Sequence, residues 1–575
     1  MFKMLGFLKH HKRDSILAPL FKMLEATLDL IVPLITADVI NVGIAGRNIP
    51  YVVSRSVLMV LLGLVGLGFS ITAQYFAARA ATESCAILRH DLFDRIQSLD
   101  FAQTDKIGTS TLVTRMTSDV NQVQGGLNMF LRLFLRSPFV VVGALILSFT
   151  IDVTGGLVFA VMVPVLAVAV FFIMLKTIPL YENVQTRLDR LTGIARENLT
   201  GVRIVRAFGR EQDETGRFRS ANDSLLDGQL GVGRISALMN PLTFVIVNLA
   251  LIAVLWTGAY KVDLGALSVG SVIALVNYMN QILIELVKLA NLIIQFTKAS
   301  ACADRINEIL AMKPAMQFGT LAPDSDASDT AVEFSHVSLS YSEGAGESLS
   351  DISFKALKGQ TIGIIGGTGS GKTSLVSLIP RFYDATSGEV RIFGHDVRSY
   401  SKGSLRSCVS TVMQKAVLFS GSIADNLRWG DKSADDKDLW KALDTAQASE
   451  IVRGKEGALA AVIEQEGRNL SGGQKQRLSI ARSLVCRPKI LILDDSSSAL
   501  DFATDAALRK ALRSLPGDMT VFIVSQRAGS LSHADRILVL DEGKLVGSGS
   551  HNELMRNCPV YRDICESQFK RAETA

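Results

Sequence analysis

The chain has little that would mark a secreted or metal-built protein. Its 575 residues include six cysteines, at 85, 302, 408, 486, 558 and 565. They are scattered, with no C-x-x-C pair and no nearby histidine at ligand spacing, so neither a zinc site nor a disulfide framework follows. All six fall in segments read below as cytoplasmic, where thiols stay reduced. Charge of one sign is lacking too: 60 Lys and Arg stand against 55 Asp and Glu, a formal +5. That near-balance argues against a nucleic-acid partner. Nor is a cleavable leader expected. Met1 to Asp14 is basic, but the apolar segment after it is too long for a signal-peptide core. It carries Glu25 and Asp29 and has no small-residue cleavage site, so it is expected to be retained as a membrane helix.

Apolar sequence is abundant: 48% of residues are hydrophobic and the mean hydropathy is +0.30. A wholly soluble protein would carry less, and the length suggests several domains. The excess is concentrated before about residue 300. Six segments, at about 15–43, 51–80, 128–150, 154–179, 236–260 and 266–296, are long enough to cross a bilayer. Three connections between them are short, with Arg47 and Lys261 as their basic residues. Two are long, at about 82–127 and 180–235, and rich in charge. The positive-inside rule places the long connections and both termini in the cytoplasm, where the long connections are expected to continue the membrane helices. Within the first, the hydroxyl cluster after Gly108 is expected to cap a short helix.

The sixth segment has a polar stripe. Asn277, Gln281, Glu285, Lys288 and Gln295 fall within an arc of roughly 80° at about 100° per residue. Polar groups in lipid cost several kcal/mol, about 2.5–3.5 for Lys or Asp at a helix centre. Asn277, Gln281 and Glu285 are therefore expected to line a substrate path; the alternative is that Glu285 pairs with Lys288 and the amides bond neighbouring helices.

From about Thr330 the pattern changes to short β-rich runs, glycine turns and amphipathic helices, an α/β signature. Gly366-Gly367-Thr368-Gly369-Ser370-Gly371-Lys372-Thr373 follows an apolar strand and opens a helix at Ser374. That is the phosphate loop in its required setting: glycine amides curl around an anion, Lys372 reaches the β- and γ-phosphates, and Thr373 can sit on Mg²⁺. Further on, a hydrophobic strand ends in Asp494 and Asp495, and a carboxylate there can hold Mg²⁺ through water. Between them lies Leu470-Ser471-Gly472-Gly473-Gln474, by itself a serine-glycine turn and N-cap.

In this order, with Gln414 in Val412-Met-Gln-Lys and with Ser498-Ala-Leu-Asp501, these motifs resemble the ATPase of ABC transporters. With six membrane segments first, the whole chain resembles an ABC exporter half-transporter. The resemblance implies a six-helix α transmembrane domain at 1–310, with long cytoplasmic helical extensions, a linker at 311–330, and an α/β ATPase domain at 331–575. It implies ATP and Mg²⁺ as cofactors, with Tyr341 stacking on adenine and 366–374 holding phosphates. Thr373, Gln414 and Asp494 would bind Mg²⁺ and its waters. Ser471, Gly472, Gly473 and Gln474 would serve the opposite site of a dimer, and Asp501 would communicate between sites. Segments around Arg115–Asp119 and Gly201–Glu211 would press on the ATPase domains.

Two positions depart from the family pattern. Asp495 stands where the family places the catalytic glutamate, and Gln526 where it places a histidine. The expectation is a site that binds ATP and hydrolyses it poorly, paired with a second half-transporter that supplies both residues. The cargo is expected to be a drug-like molecule, a lipid or a peptide exported across a bacterial cytoplasmic membrane. The alternatives are a lipid flippase or an exporter-fold importer of iron chelates, both of which share every motif.

Overall fold

The computed structural model describes residues 6–322, 328–341, 344, 346–515 and 518–573. The chain divides into two compact units, one formed by 1–97 and 108–312, the other by 98–107 and 313–575.

The first unit contains six helical spans, Lys12–Ile44, Ile49–Ser98, Thr109–Ile151, Val153–Thr200, Glu211–Asp263 and Val269–Ala311. The second span is one helix of 50 residues. At 1.5 Å per residue it is about 75 Å long, against about 30 Å of hydrocarbon, so more than half of it stands outside a bilayer. The fourth span, of 48 residues, does the same. The charged connections are thus largely helix, as their patterning suggested. A short helix, Val202–Ala207, turns the chain back at Gly209, whose φ is 61°. The turn before Thr109 differs from expectation. Gly108 takes the N-cap position at φ 82° and no side chain caps the helix. That left-handed backbone suits glycine, so conformation rather than a hydroxyl sets this helix start.

At the short connections, side-chain caps do appear. Asp152 accepts from the Gly155 amide at 2.8 Å, and Ser268 from the Ser271 amide at 3.2 Å. Lys261 joins Asp152 at 2.5 Å, tying two of these turns together. Inside the bundle, Phe159, Leu166, Leu275, Tyr278 and Ile282 are buried in one core. The apolar window of the second span is 6% buried. Its valines and leucines at 53–67 therefore face lipid or another chain.

Asp119 organises the end of the unit away from the tight turns. Its carboxylate is buried and accepts from Arg115 at 2.8 Å and from Arg305 of the sixth span at 2.8 and 3.1 Å. Segment 115–119 is anchored to the sixth span through this cluster. The segment that groups with the ATPase unit is 98–107. Phe101 packs on Phe382 at 4.5 Å, Tyr383 donates to Asp105 at 2.5 Å, and Asp100 accepts the amides of Ala315 and Met316.

Among the described residues, the second unit is built on twelve strands, β1 (Thr330–Leu339), β2 (Leu349–Leu357), β3 (Thr361–Gly366), β4 (Ser387–Ile392), β5 (His395–Asp396), β6 (Val409–Val412), β7 (Gly421–Ser422), β8 (Val462–Ile463), β9 (Ile490–Asp494), β10 (Thr520–Val524), β11 (Arg536–Asp541) and β12 (Lys544–Gly549). An antiparallel sheet runs β2-β1-β4-β5, and the central sheet runs β12-β11-β3-β10-β9-β6, parallel except at β12. Parallel sheets are covered on both faces, which is why β9 and β10 read as unbroken apolar runs. Leu491, Leu493 and Ile523 enter one core; Ile490, Ile492, Phe522 and Val524 enter the other. The two-residue period of a strand makes that division.

Replacing Asp119 with Ala would leave two arginines without their shared buried carboxylate. We expect a loss of about 3 kcal/mol, read as a fall of several degrees in the melting temperature of the purified protein. An unchanged melting temperature would show that the cluster is dispensable.

Candidate functional site

Val524 pairs with Ile364 on one side and Asp494 on the other. The carboxyl ends of β3, β9 and β10 are therefore level, and whatever follows each strand meets at one edge, where parallel α/β sheets bind ligands. A cavity of about 500 Å³ opens there. Residues 368–374, Gln414, Asp494, Asp495 and Gln526 line it.

Gly371 is at φ 92° and precedes the helix Lys372–Leu378. A Cβ on it would stand 2.7 Å from the Ser348 carbonyl oxygen, so glycine is required for both conformation and space. Lys372 is 9% exposed, and its amino group donates to the carbonyls of Gly366 at 2.9 Å and Gly367 at 2.6 Å. Gly366 and Gly367 thus position the lysine rather than line the cavity. Burial pulls Lys372 below the ordinary lysine range, against the opposing charges of Asp495 and Asp494.

Thr373 donates to Asp494 at 3.2 Å, a hydroxyl and a carboxylate side by side. Burial pushes the Asp494 carboxyl above the usual range, opposed by the Thr373 hydrogen bond. Burial does the same to Asp495, opposed by the charge of Lys372. Asp495 has φ 45°, and its carboxylate accepts from the Gln414 amide at 3.3 Å. Gln526 is exposed, and Gln568 anchors its loop by donating to the Gln526 carbonyl at 2.7 Å. Tyr341 is half exposed beside the loop. Its hydroxyl donates to Ser374 at 2.9 Å and its ring meets Tyr383 edge-on at 5.0 Å.

The signature residues stand elsewhere. Ser471 caps the helix Gly472–Val485, its side chain accepting from the Gln474 amide while Gln474 accepts from the Ser471 amide. This reciprocal box leaves the helix N-terminus exposed, a natural anion site. None of 471–474 lines the cavity of the same chain. Gly473 does pack on the Ala499 carbonyl, beside Asp501. Asp501 caps the helix Phe502–Arg513 through Thr504, and those hydrogen bonds, backbone first, hold its carboxyl below the usual range.

Sequence reasoning missed Glu347, Ser348, Glu542 and Gly543, which also line the cavity. Glu542 and Gly543 form the tight β11–β12 turn at φ 44° and 79°. An Asp-Glu-Gly-Lys turn signals a hairpin, but nothing in it signals a nucleotide.

In the sixth span the polar stripe divides. Glu285 is 3% exposed, and its carboxylate accepts from Arg136, from Ser137 at 2.8 Å and from Lys288 at 2.9 Å. Both its oxygens are engaged, and the pairing with Lys288 is the alternative that the stripe left open. Gln281 donates to the Asp29 carbonyl at 3.1 Å, and Asn277 and Gln281 are half-buried, with Ile282 and Leu286 turned into the core.

Six membrane helices followed by this phosphate loop and its paired acids define a membrane-embedded nucleotide-hydrolysing transport protein. Comparison with known proteins narrows the class. The family model described as the ABC transporter transmembrane region matches residues 15–286, and that described as ABC transporter matches 349–498. The chain is 35% identical to the ABC transporter ATP-binding protein YfiB of Bacillus subtilis (strain 168), covering 99% of each chain. It is 30% identical to a multidrug efflux ATP-binding/permease protein of Mycobacterium tuberculosis, over 98% of this chain and 47% of that one. The structure of a bacterial Atm1-family ABC exporter with ATP bound superposes with a TM-score of 0.81 at 22% identity, over 97% of this chain and 98% of that one. The chain belongs to the ABC transporter family, as a half-transporter with its membrane and ATPase domains fused. Its ATPase domain is one that binds and hydrolyses ATP, and half-transporters of this kind dimerise.

Gly371→Ala should cost about 1–2 kcal/mol in backbone strain alone, besides the clash, and weaken ATP binding at least tenfold in a fluorescent-nucleotide titration. Gly472→Ala, where a Cβ meets nothing within 4 Å, should leave this chain's own ATP affinity unchanged. Equal losses from the two would place the signature in the chain's own site.

Proposed function

We propose that this chain is the slow-site half of a heterodimeric, ATP-driven exporter in a bacterial cytoplasmic membrane, with both termini and the ATPase domain in the cytoplasm. The observation that carries the reading is the contrast within one domain. The binding apparatus at 368–374 and the signature at 471–474 are complete, whereas Asp495 and Gln526 replace the residues that act on the attacking water and the γ-phosphate.

The chain's own residues divide the work. Loop amides and Lys372 hold the phosphates, with Tyr341 placed to stack on the base. Thr373, Asp494 and Gln414 offer the hard oxygen donors that suit Mg²⁺, and the Thr373–Asp494 contact of 3.2 Å brings two of them together. Mg²⁺ would neutralise charge on the phosphates. Asp495 is one methylene shorter than glutamate, which sets its carboxylate back by about 1–1.5 Å. A misplacement of about 1 Å can cost on the order of 100-fold in rate. The Gln414 amide also occupies one of the Asp495 oxygens at 3.3 Å. Gln526 can donate a neutral hydrogen bond but carries no charge.

Ser471, Gly472 and Gly473, unused by their own chain, would complete the partner's site, and the partner would bring glutamate and histidine. Asp501, beside the signature, would report one site to the other. At the tip of the second long connection Leu199, Ile204 and Phe208 are exposed, apolar surface suited to docking on an ATPase domain. ATP-driven closure would be relayed through that tip and through 101–107, switching the membrane cavity between its two faces. The kinship with a multidrug efflux protein supports a drug-like cargo over an imported one, and Asn277 and Gln281 would be among the sixth-span residues that meet it.

Expressed alone, the chain should show little ATPase activity. Asp495→Glu combined with Gln526→His should raise the turnover of that same preparation at least tenfold. Robust turnover by the unaltered chain, abolished by Lys372→Ala, would contradict the slow-site reading.

A further inference from the structure

The membrane unit carries a second cavity lined by charged residues, an open one of about 250 Å³. Asp29 of the first span, Arg136 of the third and Gln281, Glu285 and Lys288 of the sixth wall it, with Ile284 among its apolar neighbours. Asp29 and Arg136 lie 15 residues from Ile44 and Ile151, and Glu285 lies 16 from Val269. Those separations correspond to roughly 22–24 Å of helix from the tight turns, which keeps the cluster within a hydrocarbon layer about 30 Å thick. Polar groups at such depth face a cavity or one another.

The hydrogen bonds of the cluster do not close. Glu285 accepts three hydrogen bonds. Arg136, 9% exposed, gives its terminal nitrogens to Glu285 and to Asp29, the latter at 2.9 Å, while its buried Nε has no partner among the described residues. Gln281 gives its amide nitrogen to the Asp29 carbonyl, and its buried Oε1 likewise has no partner. The residues that wall the cavity thus keep one unused donor and one unused acceptor, both shielded until their side chains turn toward an occupant. Lys288 and Asp29 are each nearly half exposed, so one cation and one anion remain within reach of an occupant. The four charges Asp29, Arg136, Glu285 and Lys288 sum to zero. A ligand with net charge would upset that balance where the dielectric is low, whereas a ligand bearing both signs can meet both ends.

We infer that this cavity recognises a zwitterionic group, its anionic end taken by Arg136 Nε and Lys288 and its cationic end by Gln281 Oε1 and Asp29. The inference rests on reading this face of the sixth span as part of the substrate path. A free peptide-like zwitterion and the headgroup of a zwitterionic phospholipid present the same chemistry.

The test uses the full-length chain as it co-purifies with its partner, in detergent and without nucleotide, so that the quality of either ATP site is irrelevant. Equilibrium dialysis compares alanyl-phenylalanine with its N-acetyl form, an anion, and its amide, a cation. A parallel arm measures binding of acyl-labelled phosphatidylethanolamine against phosphatidylglycerol in nanodiscs. The zwitterion of one arm should bind at least tenfold more tightly than the charged analogues of that arm, and which arm responds identifies the source. Gln281→Leu should abolish the preference, and Asp29→Asn should shift it toward the anionic analogue. ATP titration of each variant checks that it is folded. Equal binding of all forms, indifference to Gln281→Leu, or no saturable binding in either arm would overturn the inference and leave a water-filled cavity.

Discussion

The register of three strands decides where every nucleotide-handling group stands. Because Val524 is opposite both Ile364 and Asp494, the phosphate loop, the metal-side acids and the Gln526 loop leave the sheet at one level. Buried apolar runs on both faces hold that register, since a slip of one residue would exchange the side chains packed into the two cores. Lys372 then has a defined floor in the carbonyls of Gly366 and Gly367, and Asp494 a defined neighbour in Thr373. Binding chemistry is thus set by the sheet, and only the side chains after it decide the chemistry of hydrolysis.

The same domain is built as half of something. Its signature helix presents an exposed N-terminus, pre-formed by the Ser471–Gln474 box, that lines no part of its own chain's cavity. An apolar tip at 199–208 stands exposed, and the apolar part of the second span is barely buried. Each is surface that dimerisation can cover. What distinguishes this half is the asymmetry between its intact signature and its altered Asp495 and Gln526.

Much of this was legible in the sequence because the motifs are local. Glycines at 366–371 and the strand ending at Asp494 carry their geometry in adjacent residues, and apolar run lengths reveal the six spans. What failed was non-local. Glu285 could be read as a path residue or as the partner of Lys288, but nothing local announces Arg136 and Ser137, which lie on another span about 150 positions away. Segment 101–107 lies in a connection expected to continue the membrane helices, yet Phe101 and Asp105 meet Phe382 and Tyr383. Glu542 and Gly543 join the cavity through the turn that closes an antiparallel edge, and no periodicity announces that. The hydroxyl cluster at 109–111 misled because glycine conformation, not capping, sets that helix start.

The central claim is that the site on this chain retains ATP while its partner's site consumes it. Photolabelling of the native heteromeric complex during steady-state turnover tests it directly, using azido-ATP labelled at either the α- or the γ-phosphate. This chain should carry both labels in equal measure, whereas the partner should keep the α-label and lose the γ-label. Equal loss of the γ-label from the two chains would contradict the claim.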